Sequence, residues 1–228
     1  MSQIHAIKVP EEIVDADYEK LVNCVSASKK EKLSRYFNKR DAYRSLLGDL
    51  LVRVFIWDKF LIPNDQITIS FNKYEKPEID LGFPFSFNIS HSKDWVVCIF
   101  GNQEVGVDIE QMDKVNLDLV KSYFSQTEYE DLIILPEPMR TKYFFNLWTL
   151  KESYIKCIGT GLNCPLNSFT IRINGSSILC MANDNILSPN LSFKLYHFDS
   201  SYSLAACANS ILPDNVTVIT FEELIVRI

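Results

Sequence analysis

A chain of 228 residues with a net charge of −6, 47% hydrophobic and 12% aromatic residues, and only 7 Gly and 9 Pro has the composition of a folded globular protein, not of a disordered or fibrous one. The acidic balance disfavours non-specific nucleic-acid binding, and charges interrupt every long apolar stretch, so no membrane span is expected. The six cysteines form no C-x-x-C pair and stand apart from the three histidines, which argues against a zinc site or a disulfide framework and for reduced, buried thiols.

Residues Met1 to Pro10 lack the charged start, apolar run and cleavage site of a secretory signal, so a cytoplasmic protein is expected. A strand is predicted near Ile4–Val9, followed by a helix opening on a capping box at Ser28-Lys-Lys-Glu31. Between Lys29 and Arg44 seven basic residues face two acidic ones, a local reversal of charge in an acidic chain. In Asp41–Phe60 apolar residues from Leu46 to Trp57 recur at helical spacing, which predicts a long helix with one face in the core. Gln66–Phe71 reads as a strand and Tyr74-Glu-Lys-Pro77 as a loop. Phe87–Ser90 and Trp95–Phe100 read as a hairpin around Ser92-Lys-Asp94, with His91 at its corner.

The second half repeats this plan. A strand over Val105–Ile109 precedes helical segments through Leu117–Leu135, a helix over Thr141–Ile158, and strands near Phe169–Ile173, Leu191–Phe198 and Ser203–Ala208. Tyr36-Phe37 and Tyr123-Phe124 occupy matching places, as do Phe87-x-Ile89-x-His91 and Phe193-x-Leu195-x-His197, which suggests a duplication.

Two segments carry candidate chemistry. In Val105-Gly-Val-Asp-Ile-Glu110 the strand period puts Asp108 and Glu110 on one face, either as a pair of ligands or as the solvated side of a half-buried strand. In the later helix Glu152 shares a stripe with Phe145, Trp148, Ile155 and Gly159, and a carboxylate there needs a cation or hydrogen-bond partner. Lys156 offers an ordinary i,i+4 ion pair. If the helix instead packs on the Asp108 strand, three carboxylates converge, and such an all-oxygen set suits Mg²⁺ or Mn²⁺ completed by water and substrate phosphates.

Val105-Gly-Val-Asp108, followed by Trp148-Thr-Leu-Lys-Glu-Ser-Tyr-Ile-Lys156, resembles the paired motifs of the 4′-phosphopantetheinyl transferases, in particular the large, monomeric, surfactin-synthetase-activating (Sfp/Gsp-type) class. The likeness continues through Lys29-Lys-Glu-Lys32, Asp41-Ala-Tyr-Arg-Ser-Leu-Leu-Gly48, Lys76-Pro77 and Phe87-Asn-Ile-Ser-His-Ser92. It implies an α+β fold of two similar α/β halves related by a pseudo-twofold, 1–103 and 104–228. Coenzyme A would lie between the halves, with its nucleotide and 3′-phosphate on the first and the metal and catalytic groups on the second.

The resemblance implies metal ligands at Asp108, Glu110 and Glu152. It also implies coenzyme A contacts from Lys29, Lys32, Arg44, Lys76, Pro77, Ser90, His91 and Lys156, with Glu152, Lys156 and His91 taking part in catalysis. His5 and His197 are expected to be structural, and Lys151 to face elsewhere than Glu152. The implied reaction moves phosphopantetheine from coenzyme A to a serine of an apo carrier protein, with no nucleic-acid or membrane partner. Met112 to Leu135, carrying Met112, Val115, Leu117, Val120, Tyr123 and Phe124, is either a carrier-docking patch or core. Two other readings are open on the residues alone: a nuclease or phosphodiesterase, and a coenzyme A-binding module without chemistry.

Overall fold

The computed structural model describes residues 1–228 except 116, 176, 183, 184 and 188, and except the side chains of 117–119, 162 and 185. Strand β1 (Gln3–Lys8) leads into helices α1 (Asp15–Asn23), α2 (Ala27–Ser34) and α3 (Lys39–Phe60). A short hairpin of β2 (Ile69–Phe71) and β3 (Pro77–Ile79) then precedes β4 (Ser86–Ser92) and β5 (Trp95–Gly101). Helix α3 starts where the Asn38 side chain accepts the Arg40 N–H and stops at Leu61, whose φ of 56° cannot continue a right-handed helix. Its inner face, including Leu46, Leu47, Leu50, Leu51 and Val54, is buried against β5 and β4.

The second half runs β6 (Val105–Gln111), α4 (Leu117–Tyr123), α5 (Gln126–Ile133), α6 (Glu137–Ile158), β7 (Thr170–Asn174), β8 (Ser177–Ala182), β9 (Asn185–Ile186), β10 (Ser192–Tyr196) and β11 (Tyr202–Ala208). It rebuilds the first half. One sheet has β5 between β1 and β4, and the other has β11 between β6 and β10, all antiparallel. In each half a 22-residue helix and a β-hairpin separate the first strand from the other two. The expected duplication is therefore present, and its matching strings fall on equivalent strands: Phe87–His91 on β4, and Phe193 and Leu195 on β10.

The sheets meet through apolar faces, Ile4, Ala6, Val97 and Ile99 from one against Val105, Val107, Ile109 and Leu204 from the other. Each sheet turns its opposite face to its own long helix, giving a second core on each side. The end of the chain crosses back: β12 (Thr217–Val218) pairs in parallel with β1, and α7 (Phe221–Arg227) buries Leu224 in the core of the first half. A cut after residue 103 thus leaves a C-terminal segment packed on the N-terminal side.

Local departures from the sequence-based expectations have physical causes. The cap of α2 is Ser26, whose hydroxyl accepts the Lys29 N–H, and not Ser28; with the helix starting two residues early, Glu31 pairs with Arg35 instead of closing a box. His91 pairs with Val96 inside the β4–β5 ladder, and the turn is made by Lys93, with φ 47°, and Asp94. The helical stretch after β6 breaks at Ser125, which with Glu128 forms a reciprocal capping box for α5. None of the helices among the described residues is long and apolar enough to cross a membrane.

Candidate active site

The site begins with a glycine. A Cβ on Gly106 would stand 2.1 Å from the Ser153 carbonyl oxygen and 2.4 Å from the Cys157 N, so only glycine lets α6 lie this close on β6. Asp108 and Glu110 follow Gly106 at strand spacing and face the same helix, which presents Trp148, Glu152 and Lys156 at successive turns. With Ile89, Ser90 and His91 of β4 these residues line one cleft of about 330 Å³. The two motifs therefore do converge, and β4 of the first half forms the opposite wall.

Asp108 is buried and its two oxygens are treated differently. Oδ1 accepts the Ser90 hydroxyl at 2.8 Å and the Lys156 ammonium at 2.6 Å. Oδ2 is buried and has no hydrogen-bond partner. Lys156 thus pairs across to β6 and not with Glu152 on its own helix, the i,i+4 pair that spacing alone allowed. Glu110 Oε2 accepts the Ser92 hydroxyl at 2.8 Å.

The strand β4 is tied to β6 by side chains at every second position. Asn88 Oδ1 accepts the Val107 N–H at 3.0 Å, Ser90 Oγ the Ile109 N–H at 3.3 Å and Ser92 Oγ the Gln111 N–H at 3.1 Å. In sequence the polar residues at 88, 90 and 92 alternate as on any solvated strand face, a pattern that does not mark Ser92 as the partner of Glu110.

Burial and then the charge of Asp108 raise the carboxyl pKa of both Glu110 and Glu152, despite opposition from Lys156. His91 is exposed at the rim of the cleft, yet desolvation by the surrounding protein and then the Arg44 guanidinium lower its imidazole pKa. Among the described residues no group of three or more His, Cys, Asp or Glu side chains is drawn together closely enough to hold a metal ion by itself. The donors nonetheless fit a hard divalent cation that keeps water and phosphate ligands: all are carboxylates, and the buried Asp108 Oδ2 lacks any partner from the protein.

The other expected contacts lie outside this cleft. Arg44 is fixed by the Lys93 carbonyl and by Asp41, next to His91. Lys29 reaches toward the buried Asp49–Arg53 pair, 3.9 Å from Asp49 Oδ2, while Lys32 is exposed on α2. Lys76 Nζ caps the C-terminal end of α6, donating to the Cys157 carbonyl at 3.0 Å, and with Pro77 borders a separate hollow of about 340 Å³. Lys151 is fully buried, 2.9 Å from the equally buried Glu128, and also donates to the Leu166 and Phe169 carbonyls. Of the segment after β6, Val120 and Phe124 are core, Tyr123 is exposed, and the Leu117 side chain lies outside the described residues. His5 packs edge-on against the stacked rings of Phe55 and Phe100, away from this cleft.

Residues 104–207 match the family model described as the 4′-phosphopantetheinyl transferase superfamily, and residues 12–102 match that described as 4′-phosphopantetheinyl transferase, N-terminal. The 4′-phosphopantetheinyl transferase Sfp of Bacillus subtilis (strain 168) is 37% identical over 224 residues, covering 98% of this chain and 100% of that protein. The 4′-phosphopantetheinyl transferase gsp of Aneurinibacillus migulanus is 42% identical over 174 residues, 76% of this chain and 73% of that one. A third relative, the 4′-phosphopantetheinyl transferase ffp of Bacillus subtilis, is 36% identical over 98% of this chain and 100% of its own length.

Proposed function

The chain belongs to the 4′-phosphopantetheinyl transferase superfamily, in its Sfp/Gsp-type class, and from that premise we propose how its own residues carry out the reaction. It transfers the 4′-phosphopantetheine arm of coenzyme A to a serine of an apo carrier protein, giving holo carrier protein and adenosine 3′,5′-bisphosphate. The observation that carries the residue-level reading is Asp108. A buried carboxylate with one oxygen tied to Ser90 and Lys156 and the other unpartnered, between Glu110 and Glu152, is a place prepared for charge that the protein does not itself supply.

In this reading Asp108, Glu110 and Glu152 hold Mg²⁺, with Mn²⁺ as a substitute. The ion, when bound, neutralises the diphosphate and stabilises charge on the leaving group. Lys29, Lys32 and Arg44 bind the nucleotide phosphates, Lys76 and Pro77 border the base, and Ser90, His91 and Lys156 meet the diphosphate. The carrier serine oxygen attacks the phosphorus bearing the pantetheine arm, the bond to the other phosphate breaks, and the nucleotide leaves with that bond's electrons. A serine hydroxyl near pH 7 needs a base, and Glu152, whose carboxyl is raised by burial and by Asp108, accepts its proton. Lys156 and His91 donate to the oxygens that gain charge.

We take the halves to divide at 103/104, with β12 and α7 returning to the first, and the protein to act as a cytoplasmic monomer on peptidyl, acyl or polyketide carriers. Its net charge of −6 supports neither a nucleic-acid partner nor an anionic membrane surface. The test is the intact mass of an apo carrier domain after incubation with the protein, coenzyme A and Mg²⁺, with and without chelator. A chelator-sensitive gain of one phosphopantetheine supports the reading in full. A gain that chelator leaves unchanged removes the metal assignment, and coenzyme A binding without transfer to any carrier type removes the activity.

A further inference from the structure

Ser92, at the end of β4, stands at the edge of the cleft in contact with Glu110. Its hydroxyl has one proton and two lone pairs. One lone pair takes the Gln111 N–H at 3.1 Å, and the proton goes to Glu110 Oε2 at 2.8 Å. Ser90, two residues earlier on β4, does the same one step along β6: it takes the Ile109 N–H at 3.3 Å and gives its proton to Asp108 Oδ1 at 2.8 Å. In both cases the serine accepts from the residue after a carboxylate and donates to that carboxylate. Asn88, one step earlier again, accepts the Val107 N–H, and the residue before Val107 is Gly106, which has no carboxylate to hold. The unit therefore repeats with the strand period, and the hydroxyls stand where there is an acid to hold.

We infer that Ser92 is a positioning residue: anchored by the Gln111 N–H, it ties back one oxygen of Glu110 so that the other is presented to the cleft, as Ser90 does for Asp108. This rests on the reading of that cleft as the transfer site and adds a residue from the first half that sets a ligand on the second. A backbone N–H fixes the hydroxyl, so its direction is a property of the strand register and not of a free rotor. Because the serine and the carboxylate come from different strands, any shear of β4 along β6 loosens Glu110.

The experiment titrates Mn²⁺ into the full chain with coenzyme A bound, by calorimetry, for the unsubstituted protein and for Ser92→Ala, Ser92→Thr, Asn88→Ala, Glu110→Gln and the Ser92→Ala/Glu110→Gln double variant. Ser92→Ala should weaken Mn²⁺ by roughly tenfold, as loss of an outer partner of a ligand does, and Ser92→Thr, which keeps the hydroxyl, should restore most of it. In the Glu110→Gln background Ser92→Ala should add less than about twofold, since the partner it acts through is gone. Asn88→Ala removes a seam bond with no carboxylate behind it, and should lower the melting temperature while leaving Mn²⁺ affinity unchanged. Equal Mn²⁺ affinity for Ser92→Ala and the unsubstituted protein, or the same loss with and without the Glu110 carboxylate, overturns the inference. Absence of carrier labelling by the unsubstituted protein overturns the functional reading separately, because the Mn²⁺ cycle requires no turnover.

Discussion

Lys156 Nζ stands 2.6 Å from Asp108 Oδ1, while Oδ2 of the same buried carboxylate meets no hydrogen-bond donor. One cation therefore compensates half of a group that water does not reach. Removing it with Lys156→Met leaves a buried, underpaired charge, with a cost of about 2 kcal/mol, below that of a fully buried pair because the lysine keeps some exposure. Thermal unfolding of the free protein should show that loss. Mg²⁺ with coenzyme A should then raise the melting temperature of the variant, since whatever binds only the folded state stabilises it. A variant as stable as the parent would mean that the pair does not compensate Asp108.

Glu152 lies in the same cleft with its carboxyl pKa raised first by burial and then by Asp108. Glu152→Gln keeps shape and a hydrogen-bonding oxygen but cannot accept a proton. Turnover should fall by about 10²–10⁴-fold, with coenzyme A affinity changed by less than about threefold. Single-turnover transfer and equilibrium binding measured on the same preparation separate the two. A variant within tenfold of normal turnover would leave Glu152 as a ligand at most.

Gly106 sets the distance on which all of this depends. Gly106→Ala would place a methyl 2.1 Å from the Ser153 carbonyl oxygen, against backbone that cannot rotate away. Helix α6 would have to lift from β6, carrying Glu152 and Lys156 away from Asp108. The expected outcome is a loss of more than about 4 kcal/mol, in the range reserved for severe core clashes, read as failure to give a cooperative unfolding transition near the parent's midpoint. Wild-type stability would mean that the helix stands further off than the structure has it.

Lys151 sits beside Glu152 in sequence but supports the loop after α6. Its ammonium is fully buried with Glu128 and two carbonyls, 4.2 Å above the Phe169 ring, and burial lowers its pKa. Lys151→Met should cost about 3–5 kcal/mol by stranding the Glu128 charge. Adding Glu128→Gln should recover part of that, because it removes the stranded charge while its one amide oxygen still accepts one of the Ser125 and Ile171 N–H groups that Glu128 takes on separate oxygens. Chemical denaturation of the single and double variants checks it; a double variant no more stable than Lys151→Met would mean the cost is packing and not charge.

How far the sequence revealed this site follows from what each signal reports. Periodicity located α3, α6 and β6, because each buries one continuous face, and the motif pair brought Asp108, Glu110, Glu152 and Lys156 into one cleft. Partners were harder to read. Lys156 had an allowed partner four residues back in Glu152, and only the packing of α6 on β6 gave it Asp108 instead. Ser92 and Asn88 act across strands that share no hydrogen-bonded ladder, so no local pattern points to their targets. Glu128 and Lys151 are 23 residues apart and each looks like a surface charge, yet both are buried as a pair. The return of α7 to the first half rests on a short apolar stretch near the end of the chain that names no destination.

His91 links the site to pH. In the free protein desolvation by its surroundings and the nearby Arg44, opposed by a backbone hydrogen bond and Asp41 and aided by Lys156, hold the imidazole below its ordinary 6.5, so the neutral form dominates at pH 7. A phosphate brought beside it favours the imidazolium and raises that pKa. Coenzyme A binding should therefore take up a proton at His91 between the free and bound values, and affinity should fall as pH rises through that window. The sign for folding is the opposite: with the folded pKa lowered, the unfolded chain holds more protons up to about 6.5, so this residue's contribution to stability rises with pH below that point. The phosphates of coenzyme A titrate too, and the His91→Ala variant isolates the histidine. Calorimetry in buffers of different ionisation enthalpy near pH 6.5 should show more proton uptake for the parent than for His91→Ala. Identical proton counts would place the phosphate away from His91 and return that residue to a structural part of β4.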